Sequence, residues 1–141
     1  MKTLTIKELD PIRIPLLKKL YKSHYPSTKI KGGEYILVAE VDTKITGVVR
    51  FRTIDKWQLL TGMMVIPEAR HQGIASQLLT YSQKHRLDNN VYCFAYQHLQ
   101  PLYEAHGFQH IAVDTLPATL NKLYTRYIQS GKPLIAMQYR A

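Results

Sequence analysis

The chain is poor in most features that would let a protein hold together without a packed core. One of its 141 residues is cysteine, Cys93. An intramolecular disulfide framework is therefore excluded, as is a zinc site built on cysteines. The histidines show no metal-ligand spacing and no His-x-x-x-His pair beside an acid, so no metal is expected. Long apolar runs are missing. No stretch approaches the roughly 20 consecutive apolar residues of a membrane helix, and residues 1–8 lack the apolar centre of a secretory signal. The expectation is a soluble, cytoplasmic protein without a membrane partner. There is no repeat, no linker and no low-complexity stretch, which excludes a disordered or fibrous chain.

Acid is the scarcest charge. Ten Asp and Glu face nineteen Lys and Arg, a formal net charge of +9. Such a surface attracts anions: nucleic acid, membrane phosphates or a phosphate-rich small ligand. The cations are dispersed, with Lys18-Lys19, Lys29 with Lys31, and Arg50 with Arg52 nearest to clusters. That argues against a dedicated nucleic-acid tail, and the same charge also serves plain solubility. What is present is ordinary for a globular protein, with 45% hydrophobic and 21% charged residues, and the length suits a single domain over 1–141.

Periodicity supplies the elements. Thr3 to Lys7 alternates as a short strand. Asp10-Pro11 opens a helix on which Ile12, Leu16, Leu17 and Leu20 recur at helical spacing. Residues 23–34 hold Pro26 and Gly32-Gly33 and read as partly loop. Tyr35 to Val41, a tight connection at 42–44, and Ile45 to Ile54 form a hairpin, with Trp57 to Ile66 as a third strand stopped by Pro67. A helix from about Ile74 to Arg86 carries Ile74, Leu78, Tyr81 and His85 on one face. Strand Val91–Tyr96, helix Leu99–His106 closed by Gly107, strand Phe108–Val113, helix Pro117–Ser130 and strand Leu134–Tyr139 complete the chain. On that last helix Leu120, Leu123, Tyr124, Tyr127 and Ile128 share one side. The strand–helix–strand step around residues 74–86 implies a right-handed crossover and a parallel strand pair. The fold class is α/β, a mixed and mostly antiparallel sheet with a central parallel pair flanked by helices.

The most informative stretch runs from Met63 to Ser76. A strand ends at Pro67, a polar loop follows, and Gly73 and Ala75 open an amphipathic helix. A helix start leaves backbone N–H groups unpaired and carries positive partial charge, and small residues let a phosphate approach them. Arg70 and His71 add side-chain donors. Arg70-x-x-Gly73-x-Ala75 is thus a candidate pyrophosphate cradle, and on its own it is equally an ordinary helix start. A second feature is Leu102-Tyr103-Glu104-Ala105-His106-Gly107-Phe108, an aromatic helix ending in Gly-Phe.

Together these two stretches resemble the GNAT N-acetyltransferase superfamily, whose cofactor motif is Gln/Arg-x-x-Gly-x-Gly/Ala. The resemblance implies an acyltransferase that binds acetyl-CoA as co-substrate and passes its acetyl group to an amine acceptor by direct attack, without an acyl-enzyme. It implies that the backbone of Met63, Met64 and Val65 pairs with the pantetheine arm and polarises the thioester carbonyl. Arg70, His71, Gln72, Gly73, Ile74, Ala75 and Ser76 would hold the pyrophosphate. Tyr103 would protonate the leaving CoA thiolate; read without the motif, Tyr103 is a core aromatic. The acceptor side would be built from residues 23–34, the strand ends near Arg50 to Trp57 and the segment after Val113.

The chain also departs from the family pattern. Trp57 to Ile66 carries no acid to accept the amine proton, Thr61 is its one hydroxyl, and Tyr96 stands where the family commonly has an asparagine. Candidate bases elsewhere are His98, Asp55, Glu40 and His24, each with a surface role as the plainer reading. Cys93 reads as a small buried apolar residue. The acceptor, the acyl chain length and the choice between monomer and homodimer stay open. A tRNA acceptor suits the basic charge, and the rival reading is a non-catalytic CoA-binding or basic nucleic-acid-binding module.

Overall fold

The computed structural model describes residues 3–24 and 29–140. The elements in chain order are β1 (Leu4–Glu8), α1 (Ile14–His24), β2 (Tyr35–Val41), β3 (Lys44–Ile54), β4 (Trp57–Val65), α2 (Ile74–His85), β5 (Val91–Tyr96), α3 (Gln100–Glu104), β6 (Phe108–His110), α4 (Ala118–Gln129) and β7 (Leu134–Tyr139). The seven strands lie in one sheet in the order β1-β2-β3-β4-β5-β7-β6. The β4–β5 pair is parallel, while β1–β2, β2–β3, β5–β7 and β6–β7 are antiparallel. The mixed sheet with its parallel pair is the one the strand–helix–strand order requires. No described helix is long and apolar enough to cross a membrane.

The chain forms two compact units. One comprises Met1–Arg52 with Gly62–Leu78, the other Thr53–Thr61 with Leu79–Ala141. Each has its own apolar core. In the first, Leu17 and Tyr21 of α1 pack with Ile36, Val38, Ile45, Val48 and Met64. In the second, Leu120 and Leu123 of α4 pack with Ile54, Leu59, Tyr92, Ile111, Leu116 and Ala136. Truncating a fully buried leucine such as Leu17 or Leu120 to alanine would cost about 2–5 kcal/mol.

Local chemistry explains most boundaries. Asp42 and Thr43 both have positive φ, 52° and 66°, as a two-residue hairpin turn that matches strand twist requires. The β2–β3 register then shifts between Ala39 and Glu40, leaving Thr46 as the extra residue. Its hydroxyl donates to the Ala39 carbonyl at 3.1 Å, and its carbonyl accepts the Ile66 N–H at 2.9 Å, which ties the exit of β4 to β3. Gly47 follows. A Cβ there would come within 2.8 Å of Ile74 Cγ2 and 3.3 Å of Leu78 Cδ1, so the first turn of α2 rests on bare β3 backbone.

Three expectations are corrected. Asp10 caps a single 3-10 turn, Pro11–Arg13, before α1 starts at Ile14. A 3-10 turn has a different angular step from an α-helix, so Ile12 ends up exposed, while Leu16 falls beside the buried stripe of α1, which Leu17 and Tyr21 carry. The strand expected over Phe108–Val113 stops at His110 and gives way to a 3-10 turn at Val113–Thr115. Ile128 lies exposed near the C-terminal end of α4 and not with Leu120 and Leu123. The expected loop features at Pro26 fall outside the described residues.

Glu40 is a buried acid within the first unit, paired with Arg13 and with Lys7 at 3.4 Å. Burial alone would raise its pKa, but the Arg13 hydrogen bond and the two positive charges outweigh it and lower the carboxyl below 4.5. Its contribution is therefore complete above the unfolded value and is lost as pH falls through the folded one. Thermal melts of Glu40→Gln should show a deficit against the native chain at pH 7 that shrinks steadily as the pH is taken below 4.5. A deficit independent of pH would contradict the ion-pair account.

Candidate functional site

In the first unit, β4 delivers the chain through Met63–Val65 into a 3-10 turn at Pro67–Ala69. Met64 is buried in that unit's core, whereas Met63 and Val65 are half-buried. The side chain of Met64 is thus structural, and only its backbone is available to a ligand. Arg70 N–H closes the turn onto the Pro67 carbonyl. The Arg70 Nε donates to the Val65 carbonyl at 3.1 Å, and Gln72 Nε2 to the Glu68 carbonyl at 3.4 Å. Both side chains therefore brace the loop. A cavity of about 310 Å³ beside it is lined by Val41, Asp42, Lys44 and Thr46 of the hairpin and by Ile66, Glu68, Ala69 and Gln72.

His71 and Gly73 both take left-handed backbone, with φ of 65° and 77°. That pair of reversals lets the loop turn into α2 in a few residues. Gln77 N–H bonds the Gly73 carbonyl at 3.0 Å, so the N–H groups of Gly73, Ile74 and Ala75 precede the first intrahelical bond and have no acceptor within the helix. Nothing lies within 4 Å of where a Cβ on Gly73 would sit. Arg70, His71, Gln72 and Gly73 are exposed, Ala75 and Ser76 half-buried, and Ile74 buried against Gly47. An anion of phosphate size suits this opening: free backbone donors, a positive helix end and no side chain in the way.

The second unit holds Tyr103. It is 3% exposed, and its ring meets Phe108 edge-on at 5.6 Å. Phe108 in turn meets Tyr139 at 5.5 Å. Gly107, at a φ of 90°, ends the helical turn and swings Phe108 back beneath Tyr103. The Tyr-x-x-x-Gly-Phe pattern is thus a packing device as well as a motif. Sequence reasoning missed the neighbour that affects the Tyr103 hydroxyl, which is the thiol of Cys93 on β5. Burial pushes the Cys93 thiol up to about 12, against a smaller opposing effect of the Tyr103 hydrogen bond. Burial, then Cys93, hold the Tyr103 phenol well above its ordinary value. At neutral pH this hydroxyl is a proton donor and never a base. A lone cysteine and one of ten tyrosines give no sequence signal that they touch.

The candidate bases are largely committed elsewhere. Glu40 is engaged with Arg13 and Lys7. Asp55 accepts the Thr119 hydroxyl at 2.6 Å. His98 is exposed and stacks on Tyr96 at 6.0 Å, and His24 lies half-buried in the last turn of α1. Among the described residues no cluster of three or more His, Cys, Asp or Glu could hold a metal ion.

Comparison with known proteins places this arrangement. A family model described as an acetyltransferase (GNAT) domain matches residues 32–110, more than half of the chain. Solved structures share the fold at low identity. N-acetylglutamate synthase from Neisseria gonorrhoeae, complexed with coenzyme A and N-acetyl-glutamate, matches with a TM-score of 0.73 at 16% identity over 99% of this chain, which spans 36% of that longer one. An acetyltransferase of the GNAT family from Staphylococcus aureus matches with a TM-score of 0.68 at 16% identity, over 97% of this chain and 99% of its own. Arabidopsis thaliana NAA60 in complex with acetyl-CoA matches with a TM-score of 0.60 at 15% identity, over 97% of both chains. No curated protein matches the sequence.

Buried thiols are inert when they stay protonated. At pH 8 a thiol with a pKa of about 12 is roughly one part in ten thousand thiolate. Iodoacetamide should leave Cys93 unmodified in the native protein and label it fully in guanidinium; rapid native labelling would contradict the burial. Since the strand, the loop at 66–73 and the Gly-Phe helix end all lie inside the matched stretch, the chain belongs to the acetyltransferase (GNAT) family.

Proposed function

We propose that the protein is an acetyl-CoA-dependent N-acetyltransferase. The observation that carries this reading is the left-handed pair His71 and Gly73 opening α2 directly after Met63–Val65. That geometry supports a pyrophosphate on the N–H groups of residues 71–76 and a pantetheine arm along the β4 backbone. The coenzyme A and acetyl-CoA in the titles of structurally similar acetyltransferases support the same donor.

In the proposed reaction the acceptor's amine nitrogen attacks the thioester carbonyl carbon. The C–N bond forms, the negative charge on the carbonyl oxygen meets a backbone N–H of Met63–Val65, and the C–S bond then breaks. Tyr103 gives its proton to the departing sulfur, and the proton released by the amine makes up, through solvent, the one that Tyr103 gave. Burial keeps the Tyr103 phenol protonated across the neutral range, and the same upward shift makes it a weaker acid than a free tyrosine. β4 carries no acid, so the amine is proposed to enter already neutral. Residues 11–33 contain Arg13, Lys18, Lys19, Lys22, Lys29 and Lys31 and no Asp or Glu. A polycationic acceptor is disfavoured on that side by repulsion.

A second reading is favoured by one observation. Tyr103 is buried with its ring against Phe108, which suits a packing role and a CoA-binding module without catalysis. Two measurements separate the readings. Acetyl-CoA at about 100 times its dissociation constant should stabilise the fold by about 2.7 kcal/mol. This should raise the melting temperature by about 3–6 °C, with coenzyme A but not ATP acting alike. With an amine panel, Tyr103→Phe should lose about a hundredfold in kcat while binding acetyl-CoA within about twofold of the native chain. Unchanged turnover in Tyr103→Phe removes it from the reaction. Binding without transfer to any amine favours the module.

A further inference from the structure

The first unit contains a second group of buried polar side chains that the reading above does not use. Arg50 on β3 and Glu34 just before β2 have side chains only 5% and 2% exposed, with Arg50 Nη1 at 2.8 Å from Glu34 Oε1. The same Nη1 also donates to Glu34 Oε2 at 3.0 Å and to the Lys29 carbonyl at 3.1 Å. The guanidinium carbon lies 5.1 Å from the centre of the Tyr21 ring, and the Tyr21 hydroxyl donates to the Gly62 carbonyl at 2.6 Å. These contacts converge on one backbone position of β4.

Gly62 has a φ of 65° inside a strand. A left-handed residue there breaks the regular alternation and turns the strand, as a glycine bulge does. A Cβ on Gly62 would meet Arg50 Nε at 2.5 Å and Tyr21 Oη at 2.8 Å. The space of a side chain at position 62 is therefore filled by the guanidinium and the phenol. Arg50 Nε is buried and makes no hydrogen bond. A buried donor left without a partner is costly, and a placement chosen for stability alone would satisfy it. What the placement achieves is a wedge against the turn in β4.

We propose that Arg50 and Tyr21 are positioning residues: they hold the turn at Gly62 and so set the direction of the Met63–Val65 backbone. Through Lys29 and Glu34 the same guanidinium ties residues 29–34, part of the expected acceptor side, to that turn. The proposal rests on the acetyl-CoA reading, in which Met63–Val65 meets the pantetheine arm and residues 71–76 meet the phosphates.

The test uses two ligands that divide those roles. Acetyl-CoA carries both parts, and 3′-phospho-ADP carries the phosphates without the pantetheine. Titration calorimetry on the native chain, Tyr21→Phe and Arg50→Lys should give 3′-phospho-ADP affinities within about twofold of one another. Acetyl-CoA should bind about fivefold more weakly to Tyr21→Phe and about tenfold more weakly to Arg50→Lys, as loss of one buried hydrogen bond or of the planar fork predicts. Hydrogen exchange without ligand should be faster at Met63–Val65 in Tyr21→Phe and unchanged across β1 and β2, which keeps the test informative if Arg50→Lys fails to fold. Equal losses for both ligands, or native acetyl-CoA affinity with native exchange at 63–65, overturn the positioning role while leaving the cofactor reading intact. Failure of the native chain to bind either ligand overturns the cofactor reading and this proposal with it.

Discussion

One strand has to serve two packings. β4 gives Trp57–Thr61 to one compact unit and Gly62–Val65 to the other. In its first half, Gln58, Leu59 and Leu60 pair in parallel with Val91, Tyr92 and Cys93. In its second half Met64 belongs to the core built on α1, β2 and β3. A uniformly extended backbone keeps strict alternation of faces, and β4 departs from it at Gly62, with a φ of 65°. The left-handed residue at Gly62 is where the change is made. Much else follows from it: a glycine at that position, the hydroxyl of Tyr21 on its carbonyl, and an arginine buried beside it with a carboxylate for company.

The buried Arg50–Glu34 pair is an odd choice by energy alone. Ion pairs in an apolar interior recover little of their desolvation cost, and well-packed apolar residues of the same volume commonly do better. Here the pair also ties residues 29–34 to β3. Apolar residues would fill the same volume without fixing which backbone carbonyl faces which donor. The fold keeps its polar groups where direction matters and its leucines where only volume does.

Much of the architecture was legible because it obeys short-range rules. Glycines at 107 and 131 end helical turns with positive φ, and the step through α2 requires a parallel pair. The hairpin turn was readable from its length, although Asp-Thr is not the usual pair for two positive φ values. The turn into α2 was legible because Gly73, with a φ of 77°, stands just before the helix start at Ile74, where a left-handed residue favours glycine. Contacts between residues far apart in sequence were not legible. Arg50 looked like one more cation beside Arg52, yet its partner is sixteen positions away at Glu34. Glu40 looked like a surface acid and is buried with Arg13, twenty-seven positions away. Cys93 reads as buried and is buried, but nothing in one sequence joins it to Tyr103. Ile12 is out of phase with α1 because a 3-10 turn separates them, and Leu16 lies one residue off the Leu17–Tyr21 stripe.

The phenol of Tyr103 has a consequence for kinetics. Burial and Cys93 keep its proton in place well beyond pH 10. On the proposed reaction, the enzyme then contributes no acid that titrates over the working range, and β4 contributes no base. Any rise of rate with pH belongs to the acceptor's own ammonium group shedding its proton. An α-amino group does so near 8 and a lysine side chain nearer 10.4. The steepness and position of that rise would then be a signature of the amine itself, so that the enzyme serves as an indicator for the class of molecule it modifies.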